Sequence, residues 1–286
     1  MIMLSKKTPS ARLQTVPRMF AAQARAGLTL IELIVVLTIL VALGGLIVPI
    51  LPGLLAKTHQ AKCATTIPEV NKLWIQSFTG DLTYPDVYDS LLGAGGTALA
   101  ATLPGAPDVG GQLTTGTLNA AEITALNAIG VTSVVHLDDA STGPGLDNAT
   151  VNAALLGTPI DPLADGDTVA MLAYTPSTPP VVGDATASML SLGIRPQQYP
   201  ADAKFLVFGI GQNCTGVGAG GQMIEAPIHF GGEEVMNPAQ FYQRYCVIFM
   251  VSASDQHAEF VCACSIHPDG FDGAEAHVRD YYDDQR

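Results

Sequence analysis

The chain has 286 residues, of which 48% are hydrophobic and only 14% charged, with 29 glycines and 19 prolines; one loop-rich head plus a stalk accounts for that length and composition. The net charge of −13 is unevenly spread: residues 1–27 hold five of the 13 basic residues and no acid, so the remainder carries eight basic against 26 acidic residues, a net of −18. A surface this acidic repels phosphate backbones, which excludes nucleic-acid binding through a broad basic face.

Residues 1–27 carry Lys6, Lys7, Arg12, Arg18 and Arg25. An apolar run follows from Leu28 to Leu55, broken mainly by Thr38, Gly44, Gly45, Pro49, Pro52 and Gly53. Leu33–Leu51 is free of charge and would reach roughly 28 Å as a helix, close to the thickness of a bilayer core. The basic flank precedes this span, which places residues 1–27 in the cytoplasm and the head outside. Gly44, Gly45, Pro49 and Pro52 are the expected points of helix weakening, because glycine costs backbone entropy and proline removes a donor. Two features do not belong to an ordinary secretory signal. The small residue Gly27 stands before the apolar run rather than after it, so cleavage there would keep the hydrophobic helix. Glu32 puts a carboxylate inside the run, at a cost of about 2.5–3.5 kcal/mol at mid-membrane, and so needs a partner. A cut after Gly27 would create an amino group at Leu28, one helical turn away.

The run Gly27-Leu28-Thr29-Leu30-Ile31-Glu32-Leu33-Ile34-Val35-Val36 resembles the prepilin-type signal of type IV pilins and type II secretion pseudopilins. The resemblance implies that a prepilin peptidase cleaves between Gly27 and Leu28 and methylates the new terminus. It also implies that Glu32 aligns each incoming subunit in a filament, and that Pro49 matches a proline common in the family. Implied partners are homologous pilin or pseudopilin subunits, the peptidase, the inner membrane and its assembly platform. The implied fold is α+β, with a long N-terminal transmembrane and stalk helix packed on a C-terminal antiparallel sheet. The implied division is a leader at 1–27, the helix at 28–79 and a soluble head at 80–286.

Beyond the apolar run, Lys57–Ala64 is amphipathic, and Val70, Leu73, Trp74 and Ser77 recur at helical spacing, so one face can pack on the head. Pro68 predicts a break, with a restart near Thr65 or Thr66. Residues 80–118 read as a helix fragment and long loops, being rich in glycine. Leu118–Gly130 reads as a capped helix closed by glycine. Strands are predicted at 131–137, 169–174 and 203–210, and a hairpin joins 241–251 to 258–266. Strands after helices argue for α+β.

Chemistry is sparse. His257, Cys262, Cys264 and His267 make a zinc site conceivable, against buried thiols or disulfide partners. Cys214, Cys246, Cys262 and Cys264 are disulfide or core thiols, and the five cysteines of the chain cannot all pair internally. Asp269 and Asp272, in an acidic tail, offer oxygen ligands for calcium, without the usual calcium loop spacing. Gly209-Ile210-Gly211 lacks the rest of a phosphate loop. No catalytic motif appears, so an enzyme is not expected. The expected function is a minor or specialised filament subunit; the alternatives are a single-span adhesin with a ligand-binding head and a membrane-anchored metalloenzyme.

Overall fold

The computed structural model describes residues 29–47, 51–93, 95–105, 108–137, 160–229 and 241–283. The chain divides into two compact units, Met1–Ile50 and Leu51–Arg286.

In the first unit, helix α1 spans Leu30–Ile47 and runs unbroken through Gly44 and Gly45. In the second, helix α2 spans Leu51–Asp81. Pro52 sits in its first turn, where a missing N–H costs nothing; Pro49 lies outside the described residues. The single long helix expected over 28–79 is therefore not what forms. Among the described residues no helix is long and apolar enough to cross a membrane. The uncharged part of α1, from Leu33 to Ile47, reaches only about 22 Å against a hydrocarbon core of about 30 Å. The 31-residue α2 is long enough but carries lysines, a histidine and acids along its length.

Pro68 does not break α2, contrary to the sequence expectation. An internal proline costs ~3 kcal/mol. Cys63, Ile67, Val70 and Trp74, one side of the helix at spacings of four, three and four, are all buried in the core beneath it. Each large apolar side chain buried contributes about 1.5–3 kcal/mol, so the packing outweighs the proline. Hydrogen bonds also tie the helix to the core: Trp74 Nε1 donates to the Tyr88 hydroxyl at 3.1 Å, and Ala263 N–H donates to Asn71 Oδ1 at 2.6 Å.

Among the described residues the sheet has nine strands. They are β1 (Val87–Asp89), β2 (Leu113–Thr117), β3 (Ser133–Val135), β4 (Asp161–Pro162), β5 (Thr168–Leu172), β6 (Lys204–Gly209), β7 (Cys246–Ser252), β8 (His257–His267) and β9 (Gly270–Asp272). The main order is β4-β3-β1-β6-β7-β8-β9, and β5 joins β6 and carries β2. β1 and β3 run parallel and the other pairs antiparallel. The expected C-terminal antiparallel sheet is thus corrected to a mixed sheet that begins at Val87, within the stretch expected to be loops. The three-residue β1 is too short to show a period of two in sequence, while β3 falls inside the strand expected at 131–137.

Strand alternation sorts the central residues into two cores. Leu206, Phe208, Val247, Phe249 and Val251 face α2 and the helix α3 (Ala120–Ala128). Phe205, Val207, Cys246, Ile248 and Met250 face the opposite side, beneath residues 91–113 and the short helix α4 (Ala187–Ser191). α3 is closed by a capping box, Asn119 with Glu122, and Lys204 Nζ lies 2.9 Å from Glu122 Oε1. A β-bulge at Val261 shifts the β7–β8 register, pairing Ile248 with Cys262 but Phe249 with Phe260. Val261 and Cys262 then face the same side, and the parity of β8 inverts beyond them. A last helix, α5 (Ala274–Asp283), packs along α2.

Between β1 and the chain entering β7, Tyr242 OH donates to Asp89 Oδ2 at 2.8 Å. Gly209 is required there, since a Cβ at that position would meet the Tyr242 hydroxyl. Burial pushes the Asp89 carboxyl up to about 7, against the smaller opposing effects of that hydrogen bond and of the Arg244 charge. In the unfolded chain Asp89 ionises near 3.8. The folded state therefore holds a proton that the unfolded state has lost, and this contribution to stability declines as pH rises through that interval. Urea unfolding of the full chain across pH 4–8 is expected to show a shallower decline for Asp89→Asn than for the parent. Trp74→Ala is expected to lower the unfolding free energy by about 3–5 kcal/mol in the same assay.

Candidate functional site

The sequence-predicted assembly segment begins at the edge of the described residues: Gly27 and Leu28 lie outside them. Glu32 lies in the first turn of α1. Its Oε2 accepts from Thr29 N–H at 2.8 Å and from Thr29 Oγ1 at 2.9 Å, and Glu32 N–H lies 3.3 Å from Thr29 Oγ1. This is a reciprocal capping arrangement, and it places a carboxylate on the positive end of the helix. The large apolar side chains described on α1 are all exposed, from Leu30 at 77% to Val36 at 48%. A helix apolar all round has no wet face of its own and demands a partner along its whole length.

The thiols do not assemble into a site with His257. All five cysteines are free. Cys246 and Cys264 face each other across β7 and β8, and Cys262 packs on that same side, away from α2. Burial pushes the Cys214 and Cys262 thiols up to about 12, which disfavours the thiolate form in the buried Cys214 and the half-buried Cys262. His257 is exposed beside Glu259, 3.5 Å away. His267 lies beyond the Val261 bulge, on the α2 side, and so is separated from Cys262 and Cys264. Asp272 on β9 has its carboxylate 3.9 Å from His267 Nε2. Asp269 stands in the turn between β8 and β9. Among the described residues, neither aspartate belongs to a group of three or more side chains able to share one ion.

Two such groups exist there, and both contain His59: His59 with Cys63 and His229, and His59 with His267 and His277; in each the ligand atoms lie within 4.8 Å of one another. The fold brings them together from four places. His59 and Cys63 are one turn apart on α2, so they share a face. His229 is held by its own backbone N–H, which donates to Gln243 O at 2.7 Å. His267 ends β8, turned toward α2 by the bulge, and His277 sits on α5. Ring centroids are 4.5 Å apart for His59 and His229, 4.9 Å for His229 and His267, and 5.3 Å for His267 and His277. His59 lies 5.8 Å from His267 and 5.9 Å from His277.

The surroundings of His229, His267 and His277 disfavour their charged forms. Burial, followed by the other histidines, drives His229 well below the ordinary imidazole range and His277 down to about 3. Burial also lowers His267, against the opposing pull of Asp272. Neither ring nitrogen of His229 makes a hydrogen bond of good geometry, although the Gln243 side chain lies near enough to favour the charged ring. Ser265 Oγ is 2.8 Å from His277 Nε2 and 3.1 Å from His267 Nε2, and holds both rings. Cys63 Sγ lies 3.8 Å from both ring nitrogens of His59 and 3.4 Å from the Tyr245 hydroxyl, and burial pushes its thiol up to about 11. The sequence reading missed His59, Cys63, His229 and His277; the one local signal was the four-residue spacing of His59 and Cys63 on a predicted helix.

A second polar group lies at a cleft of 260 Å³ that His136 and Asp161 help to line. His136 Nε2 is 3.4 Å from Asp161 Oδ2 and His136 Nδ1 is 2.9 Å from Ser90 Oγ. The order suggests a Ser-His-Asp relay, but Ser90 is buried, does not line the cleft and accepts a hydrogen bond from Leu92 N–H. It anchors the histidine and has no access to a substrate. Comparison of the chain with family models, with curated proteins and with solved structures found no match.

Proposed function

We propose that this chain is a structural subunit, of the minor or specialised kind, in a filament of the type IV pilus or type II secretion pseudopilus class. In this reading prepilin peptidase cuts between Gly27 and Leu28, and the mature chain polymerises through α1 on an inner-membrane assembly platform. The observation that supports it is α1 itself, apolar on every side and exposed along its described length, with Glu32 in its first turn. Helices from neighbouring subunits can cover that surface. The uncharged part of α1 is short for a bilayer, which favours cover by other helices over the alternative of a single-span adhesin. Glu32 already holds the Thr29 N–H, so a carboxylate is poised where cleavage would place a new amino group one residue further out, at Leu28.

The test is the intact mass of the full chain from cells with and without prepilin peptidase. A mature chain beginning at N-methylated Leu28, seen only with the peptidase, is expected; residues 1–27 retained in both strains would reject the reading. Glu32→Gln should keep the Thr29 cap, because glutamine serves a capping box as well, yet lower filament recovery at least about tenfold, the equivalent of ~1.4 kcal/mol per subunit contact. Filament yield unchanged in that variant would remove the charge from the mechanism.

A further inference from the structure

Four of the six histidines in the chain gather in two overlapping metal-capable groups that share His59, contributed by α2, the segment before β7, the end of β8 and α5. A metal-bound imidazole places its ring centroid about 3.2 Å from the ion, so two rings on one tetrahedral zinc ion stand about 5.2 Å apart. Five of the six ring pairs stand 4.5 to 5.9 Å apart, around that value. Aromatic packing alone does not explain the choice of residue: a buried imidazole loses hydration that a phenyl ring never had. Imidazole nitrogens gathered this closely can share a cation, which phenyl rings in the same places could not bind. Ser265 supplies the outer hydroxyl that fixes two of the rings.

We propose that His59, His229, His267 and His277 bind one divalent first-row transition metal ion of the zinc class, in a buried structural site with the Cys63 thiol at its edge. An all-imidazole set suits zinc, cobalt, nickel or copper and not the oxygen-seeking calcium. With four protein ligands the site is closed, so its role is to hold α2 and α5 onto the end of β8 rather than to activate water. The bound ion would stabilise the folded second unit by mass action. This site and the filament role are separable, since none of its residues belongs to α1.

The experiment uses the purified full chain and zinc alone. One equivalent of zinc after dialysis is expected by elemental analysis, with a melting temperature that falls by ~5–10 °C when a chelator removes it. Cobalt substituted for zinc should give the intense visible bands of a tetrahedral site. The paired variant His229→Ala/His277→Ala should lose at least about nine-tenths of the bound metal. Because that variant could fail to fold, Cys63→Ser serves as the second probe: it should keep the full equivalent and an unchanged cobalt spectrum. A folded parent chain that takes up less than about a tenth of an equivalent, or melts at the same temperature with and without zinc, would overturn the site. Loss of the metal in Cys63→Ser alone would overturn the four-histidine ligand set.

Discussion

Both faces of the central strands are buried, and most of the second unit follows from that. β7 has no exposed residue. An antiparallel sheet commonly leaves one face to water; here alternate residues of β6 and β7 are apolar in both directions, so each face needs a lid. On one side the lid is α2 with α3. On the other it is the irregular chain of residues 91–113 together with α4. The apolar stripe of α2 is specified by this demand, and its seam tolerates Pro68 because the sheet beneath supplies more than the proline removes.

The same constraint creates the histidine cluster. α2 must lie across the sheet, so a side chain one or two turns before its buried seam arrives over the end of β8. α5 then packs along α2 and adds His277. His229 and His277 are buried because they sit where helix, strand end and helix meet. That burial disfavours the charged form of both rings, and burial likewise pushes up Asp272. The placement is a by-product of layer packing, while the identity of the four residues is not: leucine would satisfy the packing.

What could be read in the sequence was local. α3 announced itself through Asn119, Glu122 and Gly130, and β6 to β8 through long alternating runs around one turn. β3 lies inside the strand expected at 131–137, but its parallel pairing with β1 could not be read, since the three residues of β1 carry too little pattern. The uninterrupted α2 was hidden by Pro68, a residue whose local cost is overruled by distant contacts. The exposed hydrophobicity of α1 was plain, but its length was overestimated because the run continues in composition past Ile47. Of the metal-capable residues, His267 alone had drawn notice, and with the wrong companions: Cys262 and Cys264 lie nearby in sequence and on the other face in space. Residues at positions 59, 229, 267 and 277 share no spacing that a linear reading could use.

The bulge at Val261 has a bearing on descent. Up to Phe260, even-numbered side chains of β8 face α2; from Ala263 on, odd-numbered ones do, and His267 is among them. The bulge absorbs one surplus residue, so a lineage that lost the Val261 codon while keeping the hairpin paired would leave Cys262 opposite Ile248 and His267 still under α2. Homologous chains with and without the extra residue would differ in length at one point and agree in which side chains the helix covers. A single-residue insertion or deletion later in β8, with no bulge to absorb it, would instead turn every following side chain to the opposite core, so the strand tolerates a change of length at one place and forbids it at its neighbours.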